Sequence, residues 1–233
     1  MSYTVEHTVD TIIDHIKKDI HNKVVCIHKD MKRVKGHVPC RNEKKVVEKI
    51  VQEIRRNREH ILTRSRKGIL ILWSGYDKGM LRVALRLSTE IKNCPLELSN
   101  ISDDLDRLYG DWEEEMKRIG DEFHIRSKES ISKIRKGVWD RISTMWASRN
   151  VSHCVVVLSD EIDMEKILFK HEIPVLKQNV KIAFLVSNCD TGEVEPLYLN
   201  GKHLFLSKKG AKRVIRQRFP NMVTEEQLTH TFG

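Results

Sequence analysis

Apolar residues recur at helical spacing through the first part of the chain. One amphipathic stretch has its apolar positions at Val5, Val9, Ile12, Ile13, Ile16 and Ile20. A second stretch, rich in Lys, Glu and Arg, has them at Val46, Val47, Ile50, Val51 and Ile54. Spacings of three and four residues place such side chains on one face of a helix. The pattern therefore predicts two helices with a break at Gly36–Cys40, and a mainly helical N-terminal region over residues 1–67.

The pattern changes at Gly68, where a continuous apolar run over Ile69–Trp73 stops at Ser74 and Gly75. Similar short runs follow at Cys154–Leu158, Lys181–Val186 and His203–Leu206, with helical patterns such as Val138–Ser148 between several of them. Strands of a parallel sheet read as continuous apolar runs because helices cover both faces. Residues 68–233 are thus predicted to form an α/β region with a short parallel sheet. The expected architecture is a helical N-terminal lobe packed on this α/β lobe, with the active site in the cleft between them.

Composition narrows the class of protein. The 233 residues include 42 Lys and Arg against 33 Asp and Glu, a formal net charge of +9, and 39% are hydrophobic. The apolar content is sufficient for a folded core, and the surplus of cations favours anionic partners such as nucleotides or nucleic acids. No apolar run approaches the ~20 residues that a bilayer span requires. Acids within the first nineteen residues oppose a signal peptide, so we expect no membrane partner and a cytoplasmic location, or delivery as an effector without a classical signal peptide.

The cysteines indicate free thiols rather than a metal site or a disulfide framework. They are five in number and widely scattered, at Cys26, Cys40, Cys94, Cys154 and Cys189. No pair has the C-x-x-C spacing of a zinc or redox site, and an odd, scattered set is typical of a reducing compartment. The chain also lacks a glycine-rich phosphate loop, H-E-x-x-H and G-x-S-x-G. We therefore expect no metal in the functional site.

Several side chains are placed where a ligand could meet them. Trp73 and Ser74 end the first predicted strand, and ligands of parallel sheets bind beyond the carboxyl ends of the strands. Ser143 follows Trp139 by one helical turn, so that helix offers an indole and a hydroxyl on one stripe. Glu172 is embedded in apolar residues before Pro174. A partly buried carboxylate of this kind is often functional, although Lys170 or His171 as its partner would make it structural.

The order of these segments resembles the animal ADP-ribosyl cyclases, which are NAD glycohydrolases that also make cyclic ADP-ribose. Ile69–Gly75 resembles their strand followed by W-S-G, and Leu96–Ser99 resembles their L-E-D-T segment. Val138–Ala147 is similar to their F-W-x-x-x-S-x-x-(F/Y)-A helix, and Leu168–Leu176 to their F-G-x-x-E-(L/V)-x-x-L. The resemblance covers about residues 38–195. Leu98 replaces the second acid, the glycine before the glutamate is replaced or shifted, and the family's disulfides cannot form, so the chain would be a divergent member.

The resemblance implies a role for each matching residue. Glu172 would be the catalytic carboxylate, and NAD would be a substrate, with no cofactor. The residues implied to contact this substrate are Trp73, Ser74, Gly75, Glu97, Trp139, Ser143 and Phe169, the last as the candidate for holding the adenine. Water attacking the ribosyl intermediate would give ADP-ribose, and the adenine N1 would give cyclic ADP-ribose. The sequence leaves this branch open, as it does the preference for NAD or NADP and the oligomeric state.

Two other functions stay open. One is nucleic-acid binding, because basic residues cluster at Arg55–Lys67 and at Lys208–Arg218. Aromatic residues are only 6% of the chain and do not interleave with either cluster, which disfavours a single-strand binder. The other is a noncatalytic module that binds a nucleotide on the same fold. Neither of these two functions includes cleavage of NAD, so a measurement of NAD turnover distinguishes them from the enzyme.

Overall fold

The computed structural model describes four continuous parts of the chain, residues 69–74, 127–148, 151–188 and 193–233. It also describes the isolated positions Asp10, Lys45, Glu48, Gln52, Met80, Val83, Ala84, Arg86, Leu87 and Thr191. The chain forms two compact units. The first comprises Met1–Cys26 and Asn100–Trp146, and the second comprises Ile27–Ser99 and Ala147–Gly233. The predicted division near residue 68 and the cleft between a helical and an α/β lobe stay predictions.

Three parallel strands form the centre of the second unit. β1 is Ile69–Trp73, β2 is His153–Ser159 and β3 is Lys181–Ser187, and β2 lies between the other two. Nearly every residue in them is buried, as the continuous apolar runs predicted, because β-branched and leucine side chains fill both faces. The predictions of these three strands are therefore confirmed, with β2 and β3 slightly longer than expected.

The fourth strand differs from the prediction. β4 is Val194–Pro196, and it pairs antiparallel with the end of β3. Residues His203–Leu206, predicted as a strand, make only isolated bridges, among them Leu206 to Ile182. The connection from β3 to β4 is too short for the crossover that a parallel pairing demands, so the chain turns back in a hairpin. The sheet is consequently mixed, and the expectation of a wholly parallel sheet was wrong.

The two faces of the sheet are covered by different parts of the chain. On one, which we call the Trp73 face, Trp73 packs against a buried cluster that includes Ile71, Val155 and Val157. The cluster also contains the described helical residues Met80, Val83, Ala84 and Leu87. Side chains alternate along a strand, so Cys154 and its register partners Leu70 and Ile182 belong to the other face, the Cys154 face. Phe184 is also on the Cys154 face, where its ring meets that of Phe232 edge-on at 6.4 Å between centroids.

The described helices fall into two groups. In the first unit, α1 runs over Lys128–Ala147 and confirms the predicted helix at Val138–Ser148. In the second, a π-helical turn at Leu168–Glu172 leads directly into α2, Ile173–Val175. α3 is Lys208–Arg218 and α4 is Glu225–Phe232. The π-helical turn and α2 contact α4, and α3 contacts both α4 and β3. Together these elements cover the Cys154 face.

The predicted N-terminal helices fall largely on residues 1–67, where the structure describes only four positions. Asp10, Lys45, Glu48 and Gln52 are all helical, in agreement with the apolar spacing around them. In the described residues, none of the helices combines the length and the apolar character that a bilayer span demands.

Candidate functional site

The carboxyl edge of the sheet carries a row of serines. Ser74 follows β1, and its backbone N–H donates to the carbonyl of Val157 at 3.0 Å. Ser159 and Ser187 end β2 and β3 as register partners, and both are buried. The N–H of Asp160 donates to the carbonyl of Ser187 at 2.9 Å, which holds the next turn against this edge. This edge of a parallel sheet is where ligands commonly bind, and Ser74, which is partly exposed, is the serine of the row that a ligand could reach.

The turn after β3 completes this polar edge. The N–H of Asn188 donates to the carbonyl of Glu193 at 2.7 Å, and the side-chain oxygen of Asn188 accepts from the N–H of Thr191 at 2.9 Å. The Ser159 hydroxyl donates to the carbonyl of Glu161 at 2.7 Å. Sequence reasoning missed Ser187 and Asn188 as site residues. The signal was present, because each of the three parallel strands ends in a serine that follows an apolar residue.

Glu172 is presented by an irregular helix. It is half-buried and ends the π-helical turn, directly before Ile173 and Pro174. Proline lacks an N–H, and its ring clashes with the carbonyl four residues earlier, so a regular α-helix cannot continue through Pro174. The chain widens instead, and the N–H of Ile173 donates to the carbonyl of Leu168, five residues back. Such π-helical turns are frequent at functional sites.

One of the two basic neighbours considered as a partner for Glu172 is paired with another acid. Lys170 forms an ion pair with Glu165 on the exposed side of the turn. Glu172 also lies near enough to Cys154, whose thiol is fully buried in the sheet, for its charge to act on that thiol. Burial, and after it the negative charge of Glu172, raises the pKa of Cys154 well above its usual range. Cys154 is therefore a protonated thiol at neutral pH and is unsuited to act as a nucleophile.

Trp73 and Glu172 are separated by the sheet. The indole of Trp73 packs on the Trp73 face, whereas the turn that carries Glu172 contacts β1 and α4, and Glu172 acts on Cys154 of the opposite face. Cys154 is also distant from Trp73 along the strands, because its register partner in β1 is Leu70, near the opposite end of that strand. The two residues expected to face one substrate therefore approach the sheet from opposite sides.

Phe169 belongs to the core. Its side chain is 1% exposed, so the ring presents no open face on which an adenine could stack. This is a consequence of the π-helical turn, which directs Leu168 and Phe169 inward while Glu172 stays half-buried. The expectation that Phe169 holds the adenine rested on its nearness to Glu172 in sequence. In the π-helical turn, however, Phe169 is directed into the core while Glu172 stays half-buried.

Two hydrogen bonds attach this turn to the C-terminal helices. The hydroxyl of Thr231, on α4, donates to the carbonyl of Phe169 at 3.1 Å, and both groups are buried. The ammonium of Lys208, on α3, donates to the carbonyl of Pro174 at 3.0 Å. Lys208 is 3% exposed, and this burial lowers the pKa of its ammonium. Neither residue stood out in the sequence, since each lies far along the chain from Glu172.

The helix predicted to contribute to the site lies in the first unit. Ser143 is buried on α1, one turn after Trp139, so both lie on one stripe of a helix, as predicted. The side chain of Trp139 is outside what the structure describes, as are Gly75 and Glu97 altogether. Two cations of α1, Lys133 and Lys136, pair with Glu129 and Asp140 along the helix surface.

The amino edge of the sheet has its own polar group. The ring of His153, at the start of β2, meets Phe205 edge-on at 5.0 Å between centroids, and its Nδ1 lies 2.9 Å from the Ser152 hydroxyl. Burial, together with the charge of Lys181, lowers the pKa of His153 to about 4. The imidazole is therefore neutral at physiological pH, and it lies at the end of β2 opposite to Ser159.

Within the described part of the chain, no group of three or more His, Cys, Asp or Glu side chains is placed to hold a metal ion. Comparison with protein-family models, curated proteins and solved structures finds no match.

Proposed function

We propose that this chain binds a dinucleotide of the NAD type and cleaves its nicotinamide–ribose bond, with Glu172 as the catalytic carboxylate. The observation that carries the proposal is the setting of Glu172. It is a half-buried acid at the end of a π-helical turn, directly before Ile173 and Pro174. An ionised carboxylate beside apolar surroundings is a strong local source of negative potential.

The chemistry requires such a potential. As the bond from the ribose to nicotinamide breaks, positive charge develops on the anomeric carbon, as in glycoside hydrolysis. The nicotinamide leaves with the bonding electron pair as a neutral base, so no general acid is needed. A fixed carboxylate near the ribose lowers the energy of the charged state more than that of the substrate, which accelerates the step. Water then adds to the anomeric carbon and loses a proton to give ADP-ribose.

The separation of Trp73 from Glu172 limits how the substrate can bind. A dinucleotide whose ribose meets Glu172 would contact the serine edge only if it extended past the carboxyl ends of the strands. The proposal therefore assigns cleavage to the Cys154 side of the sheet. It assigns Trp73 and Ser74, which are partly exposed at the end of β1, to more distant parts of the ligand, where the hydroxyl of Ser74 could donate to a pyrophosphate.

That same separation favours a second candidate, a module that binds a nucleotide at the serine edge without turning it over. Here Glu172 would be a structural acid of the Cys154 face. The carboxyl edge is the common ligand site of parallel sheets, and it needs no contribution from Glu172. Both candidates predict nucleotide binding, and only the first predicts nicotinamide release.

Nucleic-acid binding receives less support. Four of the six cations at Lys208–Arg218 are engaged within the protein: Lys208 with a carbonyl, Lys212 and Arg216 with Glu225, and Arg218 with Glu195. Charges neutralised by acids contribute little to phosphate binding. Oligonucleotide binding that weakens steeply with salt, without nicotinamide release, would restore this candidate.

The deciding experiment is incubation of the purified protein with NAD, followed by chromatography for nicotinamide, ADP-ribose and cyclic ADP-ribose. We expect nicotinamide release that Glu172→Gln lowers by about 100-fold or more, since the amide keeps the shape and removes the charge. Glu226→Gln, an exposed acid of α4, is the matched control and should retain activity. NAD binding without release by the unaltered protein would select the binding module, and unchanged release by Glu172→Gln would remove Glu172 from catalysis.

A further inference from the structure

We infer that α3 and α4 position Glu172, through hydrogen bonds that Thr231 and Lys208 donate to the turn carrying it. The inference rests on the proposed function, because Glu172 matters as a catalytic group only there. Thr231 and Lys208 are positioning residues, which act through the backbone of the turn and not on the substrate.

The π-helical turn leaves the carbonyl of Phe169 without a backbone donor. In an α-helix that carbonyl would accept from the N–H of Ile173, but this N–H donates to Leu168. In a π-helix it would accept from residue 174, which is proline and has no N–H. The buried hydroxyl of Thr231 supplies the missing donor. A buried carbonyl without a partner is costly, so the turn depends on this hydroxyl.

The carbonyl of Pro174 is in a similar position. α2 ends at once, because Leu176 has an extended backbone with ψ of 135°, so the last carbonyls of this short helix lack helical partners. The ammonium of Lys208 donates to Pro174. The two acceptor carbonyls thus lie on either side of Glu172 in sequence, that of Phe169 three residues before it and that of Pro174 two residues after it.

This arrangement explains why a lysine is buried here. Burial lowers the pKa of the Lys208 ammonium and opposes its charged form, a cost that a purely apolar residue of α3 would avoid. A long side chain that ends in a donor can reach from α3 to the carbonyl of Pro174. The ion pair of Lys212 with Glu225 connects α4 to α3, and the contact of Phe232 with Phe184 packs α4 against β3. These contacts fix the position from which the Thr231 hydroxyl donates its hydrogen bond.

The test compares Thr231→Val with two matched variants. Valine keeps the shape of threonine and removes the hydroxyl, Thr231→Ser keeps the hydroxyl, and Glu226→Gln changes an exposed side chain of α4. We expect Thr231→Val to lower kcat for nicotinamide release about tenfold or more, with KM changed less than about twofold, because small displacements of a catalytic group cost rate more than binding. Thr231→Ser and Glu226→Gln should stay within about twofold of the unaltered protein.

A second measurement does not depend on turnover. In hydrogen exchange, the amides of Ile173 and Leu176 should exchange about tenfold faster in Thr231→Val and in Lys208→Met, while amides of β2 stay unchanged. An exposed neighbour, Lys209→Met, is the control for Lys208. If the unaltered protein releases no nicotinamide, the proposed function fails and exchange alone decides whether these residues hold the turn. Unchanged exchange at Ile173, or an unchanged kcat in an active enzyme carrying Thr231→Val, would overturn the inference.

Discussion

The Trp73 face and the Cys154 face are built from the same three strands and differ in the chemistry of what covers them. The cluster on the Trp73 face is hydrophobic, including Ile71, Val155 and Val157, with Trp73 partly exposed at its end. On the Cys154 face, the charge of Glu172 acts on the thiol of Cys154, and the buried ammonium of Lys208 donates to the carbonyl of Pro174, just after Glu172. Because the side chains of a strand alternate, one run of apolar residues supports both an inert face and a face with ionised groups beside it.

The largest expected effect is that of a substitution in the core of the Cys154 face on the stability of the protein. Phe184 is fully buried and contacts Phe232 of α4. Phe184→Ala should reduce the free energy of unfolding by about 3–5 kcal/mol, from lost burial and the cavity left behind. Urea unfolding measures this. A change below about 1 kcal/mol would mean that α4 is not packed on β3 as the structure shows.

A second prediction concerns the amino edge and pH. His153 has its folded-state pKa lowered to about 4, below its ordinary value of 6.5. The unfolded chain then binds a proton that the folded chain does not, so stability is present at neutral pH and is lost as pH falls from about 6.5 to about 4. With allowance for solvent around a partly exposed ring, His153 should account for about 1–2 kcal/mol of that loss.

Urea unfolding at pH 7.5 and pH 4.5, for the unaltered chain and for His153→Gln, measures this contribution. The variant should lose less stability between the two pH values than the unaltered chain does. His203→Gln, a change at an exposed histidine, is the control and should behave as the unaltered chain. Equal losses in all three proteins would exclude His153 as a source of acid sensitivity.

The smallest expected effect is on the kinetics of NAD cleavage, and it tests whether the two faces have different functions. Trp73→Leu keeps an apolar residue at the end of β1 and removes the indole. Because Trp73 lies on the face opposite to the turn of Glu172, we expect KM for NAD to rise about three- to tenfold and kcat to change less than about twofold. Steady-state kinetics separate the two constants. A loss in kcat comparable with that of Glu172→Gln would show that both side chains act on the reacting bond.

The strands and their order along the chain could be predicted because their information is local. A run such as Ile69–Trp73 buries every side chain, and only a strand covered on both faces accommodates it in so few residues. The prediction failed at residues 203–206, where an apolar run of similar length is a bridge beside β3. Short apolar runs do not encode their partners, and the tight connection after β3 determined that Val194–Pro196 would pair first.

The candidate site was predictable in part. The setting of Glu172 among apolar residues before Pro174 indicated a half-buried acid, and the structure has it so. Ser74, directly after β1, was predicted as a site residue, whereas Ser187, which ends β3, was not. Thr231 and Lys208 carried no local signal, since a threonine in a helix and a lysine in a basic run are ordinary residues of a surface.

What the amino-acid sequence determined by itself is the set of local structures: three buried strands, helix α1, and a helix interrupted where Pro174 withholds an N–H. These follow from side-chain periodicity and backbone chemistry over a few residues. Only the tertiary structure decided that Trp73 and Glu172 take opposite sides of the sheet, and that the carbonyl of Phe169 finds its donor on α4. Both depend on contacts between residues far apart in the chain, and burial makes such contacts obligatory without indicating in advance which residues will meet.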